Sequence, residues 1–307
     1  MIHIRTETTA DYAAIARVHA RAFVEEPLVA LIVDYHRHRA MFDPELSLVA
    51  EVDGQVVGHI LFSPRTFRVL GQDVHGLNLS PLGVDPQFQN QGIGGELVRA
   101  GHEIARSKGY VLSVVLGHPE YYPRFGYLNN AYGSASLTMV NKDVPQSPRL
   151  LVTRKVIEAD FPALQALWRT EEDNVDLAIV PGDRLLDWIS TNPSIESTVY
   201  EYDGEIVGYS RVHSAHPQKV RYFLAAGEEA ARVMAHLLMK DMDTIELPLH
   251  PHSASSRALS GVVKCEAWGA GMAMSLLPNP FDDYYARLQQ GACQPGRPIW
   301  PVEFDIE

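Results

Sequence analysis

The chain has little cysteine, no long apolar run and no excess of positive charge, and each shortage removes a class of function. Its 307 residues hold two cysteines, Cys265 and Cys293, and no C-x-x-C pair, which excludes a disulfide framework and a cysteine zinc site. No apolar stretch approaches the roughly 20 residues that cross a bilayer. The first residues, Met1-Ile-His-Ile-Arg-Thr-Glu7, lack the basic head and apolar stretch of a secretory signal, so a cytoplasmic location is expected. A net charge of −12 disfavours nucleic acid and anionic membranes as partners and mildly favours a cationic one. Among the histidine pairs, His36/His38 and His250/His252 are spaced i, i+2, which does not face one side of a helix, and His213/His216 lacks a nearby third ligand; no metal is expected.

What is present is an ordinary globular composition, 46% hydrophobic and 21% charged, long enough for two domains. The halves repeat at an offset near 150 residues. Glu51-Val-Asp-Gly-Gln-Val-Val-Gly-His59 aligns with Glu201-Tyr-Asp-Gly-Glu-Ile-Val-Gly-Tyr209, each a strand, an Asp-Gly hairpin turn and a second strand. Upstream, Arg5 and Asp11 answer Arg154 and Asp160, each aspartate suiting the start of a helix. The polar, proline-interrupted stretch 141–149 reads as the linker, giving domains at 1–145 and 151–307. In the first half the pattern predicts strands over 2–6, 46–52, 55–63, 66–70, 76–84 and 110–116 and helices over 9–23, 26–40 and 92–108. That order suits an α/β fold built on a mixed central sheet.

One segment carries readable chemistry. Gln89, Asn90, Gln91, Gly92, Ile93, Gly94 and Gly95 lie between an apolar strand and an amphipathic helix. Glycines let a ligand approach the backbone, and a helix start presents amides without intrahelical partners, backed by the positive end of the helix dipole. Such a turn suits pyrophosphate. It is neither a P-loop, since no Gly-Lys-Ser/Thr follows, nor G-x-G-x-x-G.

The pattern Q-x-x-G-x-G after Pro81-Leu-Gly-Val-Asp-Pro86 resembles the acetyl-CoA signature of the GNAT (Gcn5-related) N-acetyltransferases. The run Val115-Leu-Gly-His-Pro-Glu-Tyr-Tyr-Pro-Arg-Phe-Gly-Tyr127 is similar to a segment of bacterial members of that family, with His118 in place of the usual acid. The resemblance implies two tandem GNAT-like domains, each a mixed sheet flanked by helices, with acetyl-CoA as cosubstrate and a primary amine on a small molecule or peptide as acceptor. It also implies that the backbone of Leu82, Gly83 and Val84 pairs with the pantetheine arm, and that Tyr122 protonates the departing thiolate. Pro81, inside its strand, lacks a ladder donor, and the resemblance makes this the place where the sheet opens.

The second copy has lost the turn. Its strand Val220 to Ala226 runs almost directly into Gly227-Glu-Glu-Ala230, where two carboxylates would repel phosphate, so a degenerate second domain is expected. The general base stays open: strand 76–84 carries Asn78 and Ser80 where many relatives place glutamate. Glu25, Glu26, Glu120, His118 and a docked Glu307 carboxylate are candidates beside relay through water. The missing carboxylate also motivates a second reading, a non-catalytic acyl-CoA-binding regulatory or scaffold protein.

Overall fold

The computed structural model describes residues 1–26, 28–39, 41–141, 150–240 and 242–298. All but Asn141 of the expected linker, and the chain end from 299 to 307 with Glu307, lie outside the described residues. In chain order the first half contains β1 (Ile2–Thr6), α1 (Tyr12–Ala22), α2 (Val29–Arg37), β2 (Ser47–Val52), β3 (Gln55–Val69), β4 (Gln72–Val84), α3 (Ile93–Ser107), β5 (Leu112–Leu116) and β6 (Gly133–Val140). The second half contains β7 (Val152–Lys155), α4 (Phe161–Glu172), β8 (Leu177–Val180), α5 (Leu185–Trp188), β9 (Ile195–Tyr202), β10 (Glu205–His213), β11 (Val220–Ala225), α6 (Glu228–Met239), β12 (Thr244–Leu247), β13 (Val262–Ala267), β14 (Gly271–Ser275) and α7 (Phe281–Gln289). The expected strand at 66–70 is not separate. β3 runs through Ser63-Pro64-Arg65 without a break, because a proline removes only its own amide from a ladder.

Contacts divide the chain into two units that interleave in sequence. One comprises Met1–Phe67, Asp73–Ala131 and Trp268–Asp283; the other comprises Arg68–Gln72, Tyr132–Ala267 and the chain from Tyr284 onward. The expected division into 1–145 and 151–307 follows the sequence repeat, whereas the strands are shared out differently, with β6 in the second unit and β14 in the first.

In the first unit the sheet order is β1-β2-β3-β4-β5-β14. The pairs β1/β2, β2/β3 and β5/β14 are antiparallel, and β4/β5 is parallel. Alternation along β2 sets the layers: Leu48 and Ala50 pack with Ile93, Leu97 and Val98 of α3, while Val49 packs with Ile15 and Val18 of α1 and Val33 of α2. Both faces of the sheet are thus covered, each buried Leu or Val contributing about 1.5–3 kcal/mol. Gly101 of α3 is obligatory for this packing, since a Cβ there would lie 2.1 Å from the Phe62 ring.

The second unit repeats the plan with two sheets, β11-β10-β9-β7 and β12-β6-β13, and one parallel bridge from Lys219 to Glu246 where β11 meets β12. β7, β9, β10, β11 and β12 thereby stand where β1, β2, β3, β4 and β5 stand in the first unit, and each sheet is extended by a strand from the other half of the sequence. The repeat reaches individual side chains. Arg5 forks onto Asp11 at 2.7 and 2.9 Å and onto Glu51 at 3.0 Å; Arg154 forks onto Asp160 at 2.7 and 2.8 Å and onto Glu201 at 2.8 Å. The two Asp-Gly turns have matching left-handed backbones, φ +49° and +78° at Asp53-Gly54 and +50° and +82° at Asp203-Gly204, as a tight hairpin requires. Trp168, Trp188, Tyr209 and Tyr222 are buried together and fill the second core.

Among the described residues no helix is long and apolar enough to cross a membrane. Two outcomes follow from this architecture. A fragment spanning 1–145 lacks β14 and leaves β5 with an open edge, so by circular dichroism and urea titration it should show no cooperative unfolding, whereas the full chain should. Asp11→Asn, which removes half of a bidentate charge-assisted pair, should lower stability by about 1–3 kcal/mol in the same titration.

Candidate active site

Parallel pairing between β4 and β5 covers three residues, Gly76 with Leu112, Leu77 with Ser113 and Asn78 with Val114, and then stops. Beyond Asn78, β4 continues through Pro81 to Val84 without β5 beside it, so the sheet opens there. Leu82 and Val84 face the α3 side of this opening and line a cleft of about 840 Å³. Gly83 faces the other side, where the ring of His19 fills the space a side chain would take.

The turn after β4 is pinned from several directions. Asp85, buried, donates its amide to Val57 O at 2.8 Å, accepts the Gln87 amide at 3.0 Å and pairs with Arg21 at 2.8 Å. Gln89 Nε2 donates to Val84 O at 3.0 Å, folding its side chain back onto the strand end. Asn90 and Gly92 adopt left-handed φ values of +62° and +84°, which turn the chain into α3 without a side-chain cap. The helix ladder begins with the Glu96 amide on Gly92 O at 3.1 Å, so the amides of Ile93, Gly94 and Gly95 precede the first intrahelical bond and point from the positive end of the dipole. Asn90, Gly92, Ile93, Gly94 and Gly95 all line the cleft, as does Gln89. Of the residues expected at a cofactor site, Gly83 and Gln91 do not: the first packs against His19 and the second is exposed.

The opposite wall is the 3-10 turn Tyr122–Phe125 and the residues before it. Its position is set by Tyr127, whose buried hydroxyl bonds Ser113 Oγ at 2.7 Å and His102 Nε2 at 3.1 Å, tying the turn to β5 and α3. Tyr121 and Tyr122 both reach the cleft with rings edge to face at 5.1 Å. Tyr122 is buried, and burial raises its phenol well above the ordinary value, so it stays protonated across the physiological range. Tyr121 is half-buried with its hydroxyl against α3; a Cβ on Gly94 would lie 2.5 Å from it. Gly94 thus leaves the room that the Tyr121 hydroxyl occupies.

Two cations escaped the sequence reading. Arg99 and Arg124 both line the cleft, stacking at 5.4 and 5.8 Å over Phe125, and Arg124 also covers Tyr121 at 4.5 Å. The signal was available, since Arg99 is the first cation after the glycine turn, but only the fold shows that Arg124 approaches the same cleft. Among the earlier candidates for the base, His118 lines the cleft and is exposed, while Glu25, Glu26 and Glu120 are exposed and outside it.

The profile of the GNAT acetyltransferase domain family matches residues 3–128. The chain is 41% identical over 120 residues to an uncharacterised N-acetyltransferase, YjhQ, of Escherichia coli K12, covering 38% of this chain and 64% of that protein. It is 34% identical over 125 residues to YhbS, another uncharacterised N-acetyltransferase of that strain, covering 40% of this chain and 72% of the relative. It therefore spans less than two thirds of YjhQ's length. Across nearly its whole length it shares the fold of a GCN5-related N-acetyltransferase from Kribbella flavida, with a TM-score of 0.69 at 16% identity over 89% of this chain and 70% of the other.

The unbonded amides, with Arg124 and with Arg99 that pairs with Glu96 at 2.9 Å, suit an anion in this cleft, and pyrophosphate is the minimal probe. Titration followed by amide resonances should move Ile93, Gly94 and Gly95 most, and Arg99→Ala or Arg124→Ala should weaken binding about tenfold, the loss of one charge-assisted contact.

Proposed function

This chain belongs to the GNAT family of acetyltransferases, and from that premise we propose that its first unit transfers the acetyl group of acetyl-CoA to a primary amine of a small molecule or peptide, by direct attack in a ternary complex. The observation that carries the proposal is the row of unbonded amides at Ile93, Gly94 and Gly95 facing a cleft that also holds Arg99 and Arg124. A coenzyme pyrophosphate satisfies those amides and complements the dipole. From there the pantetheine arm runs toward Leu82 and Val84, where β4 has lost its neighbour and its peptide groups can pair with the arm instead.

At the thioester the chemistry asks for a donor to the carbonyl oxygen, an acid for the thiolate and a route for the amine's proton. A β4 amide near Val84 serves the first purpose, as backbone donors do in oxyanion sites. Tyr122 serves the second: a phenol kept protonated by burial gives up its proton when thiolate charge develops beside it. The second copy supports a single cofactor site, because β11 passes to α6 through Ala226 and Gly227 alone and Glu228 and Glu229 occupy the helix start. A cytoplasmic setting suits an acetyl-CoA-dependent enzyme.

The scaffold reading keeps the cofactor and discards the turnover. The two readings separate on Tyr122→Phe in a CoA-release assay across polyamines, amino sugars, aminoglycosides and short peptides. A transferase should release CoA with at least one amine, and the variant should lose about 10²–10⁴-fold in kcat with acetyl-CoA affinity retained. No release with any amine, despite tight acetyl-CoA binding, would favour the scaffold.

A further inference from the structure

The free stretch of β4 has a second face, and a buried side chain packs against it at Gly83. His19, on α1, has no accessible surface, and its Nδ1 is a buried polar atom with no hydrogen-bond partner. That nitrogen faces Gly83: a Cβ built on Gly83 would lie 2.7 Å from His19 Nδ1. Gly83 belongs to the stretch of β4 beyond the last pair with β5, between the two residues that line the cleft. A buried polar atom without a partner is costly, so its persistence at this place asks for a reason.

Behind His19 stands a chain of hydrogen bonds that decides which nitrogen carries the proton. Glu7 is clamped by Arg37 at 2.9 and 2.7 Å and by its bonds to Ser47 and His59 its carboxyl is held down at about 2 despite burial, so it only accepts. His59 Nε2 lies 2.9 Å from Ser47 Oγ and 3.5 Å from Glu7 Oε2, and it must donate toward them. His59 Nδ1 is then a lone pair, and it accepts from His19 Nε2 at 2.8 Å. His19 Nδ1 is left bare, a neutral imidazole base directed at the reacting strand.

We infer that His19 is the general base of the acetyl transfer, held in its receiving tautomer by His59 and Glu7, and so supplies what Asn78 and Ser80 on the strand cannot. This rests on the transferase reading above. The ammonium gives one proton to His19 Nδ1, directly or through one water; the freed lone pair forms the C–N bond at the thioester carbonyl; the C–S bond breaks with its electrons on sulfur. Tyr122 protonates that thiolate and is restored by the second proton leaving the nitrogen, and the proton on His19 passes to solvent once the amide departs. Glu7, anionic, steadies the imidazolium through His59. Phe23, just after α1, stacks on His19 with ring centroids 6.0 Å apart.

The groups facing His19 are His59 on β3, Arg37 on α2 and, through His59, Glu7 after β1; burial first, then His59 and Arg37, hold its imidazolium well below 6.5. The neutral form is the working form, so activity persists above that pKa and falls as pH drops through it.

The test is the pH dependence of kcat/KM for the best amine found by CoA release, at saturating acetyl-CoA, in wild type, His19→Gln and His59→Gln, with acetyl-CoA affinity and thermal unfolding measured on each. Wild type should hold a plateau down to a limb below pH 6.5. His19→Gln should bind acetyl-CoA as before, lose about 100-fold in kcat and rise tenfold per pH unit toward the amine's own pKa, because only free amine then reacts. His59→Gln, which keeps His19 but removes its partner, should move the limb. The imidazole ¹⁵N spectrum of the wild type, which needs no variant, should show His19 protonated at Nε2 and bare at Nδ1. A His19→Gln enzyme with wild-type rate and profile, or a proton found on Nδ1, overturns the inference alone; a wild type that binds acetyl-CoA and turns over no amine overturns it together with the transferase reading.

Discussion

Everything at the candidate site depends on the parting of β4 and β5 after Asn78 and Val114. A parallel pair that continued to the strand ends would satisfy the backbone of 82–84 internally and close the sheet between its two helical layers. By stopping early, it leaves β4 beyond Asn78 without β5 beside it, with Leu82 and Val84 lining the cleft on the α3 face and Gly83 packed against His19 on the other. The glycine turn, the dipole of α3 and the two arginines lie on one face of this stretch of β4, and the His19–His59–Glu7 chain lies on the other.

The second unit shows how little is needed to remove such a site while the fold is kept. Arg154, Asp160, Glu201 and the Asp203-Gly204 turn reproduce their counterparts almost atom for atom, and β11 meets β12 by a single parallel bridge. The hydrogen bonds that shape the sheet survive because each would leave a buried or half-buried charge unpaired if lost. The glycine turn has no such role in folding, and shortening it to two residues before Glu228 costs the unit only the anion site. The reciprocal placement of β6 and β14 adds a constraint of a different kind, because neither half of the chain carries all the strands of its own sheet.

Most of the first unit was legible in the sequence because its signals are local. The order of strands and helices came from apolar periodicity, the hairpins from Asp-Gly, and the turn at 89–95 from glycine spacing before a helix. Three things were not. The expected strands at 55–63 and 66–70 are one, β3, because the amide missing at Pro64 does not end a strand. The exchange of β6 and β14 is a choice between two equivalent edges, and no local pattern distinguishes them. His19, His59 and Glu7 are 40 and 52 residues apart along the chain, and singly each reads as a core or surface residue. Only when α1, β3 and β4 pack does Gly83 acquire the ring of His19 as its neighbour.

The account stands or falls on the anion site at the start of α3, and calorimetric titration with acetyl-CoA addresses it directly. Wild type should bind one equivalent per chain. Gly92→Glu, which sets a carboxylate on the left-handed residue before the unbonded amides in a place with no neighbouring atoms to clash, should abolish the heat while the protein remains folded. Two equivalents per chain would contradict the loss of the site in the second copy, and no binding, or binding indifferent to Gly92→Glu, would contradict the site itself.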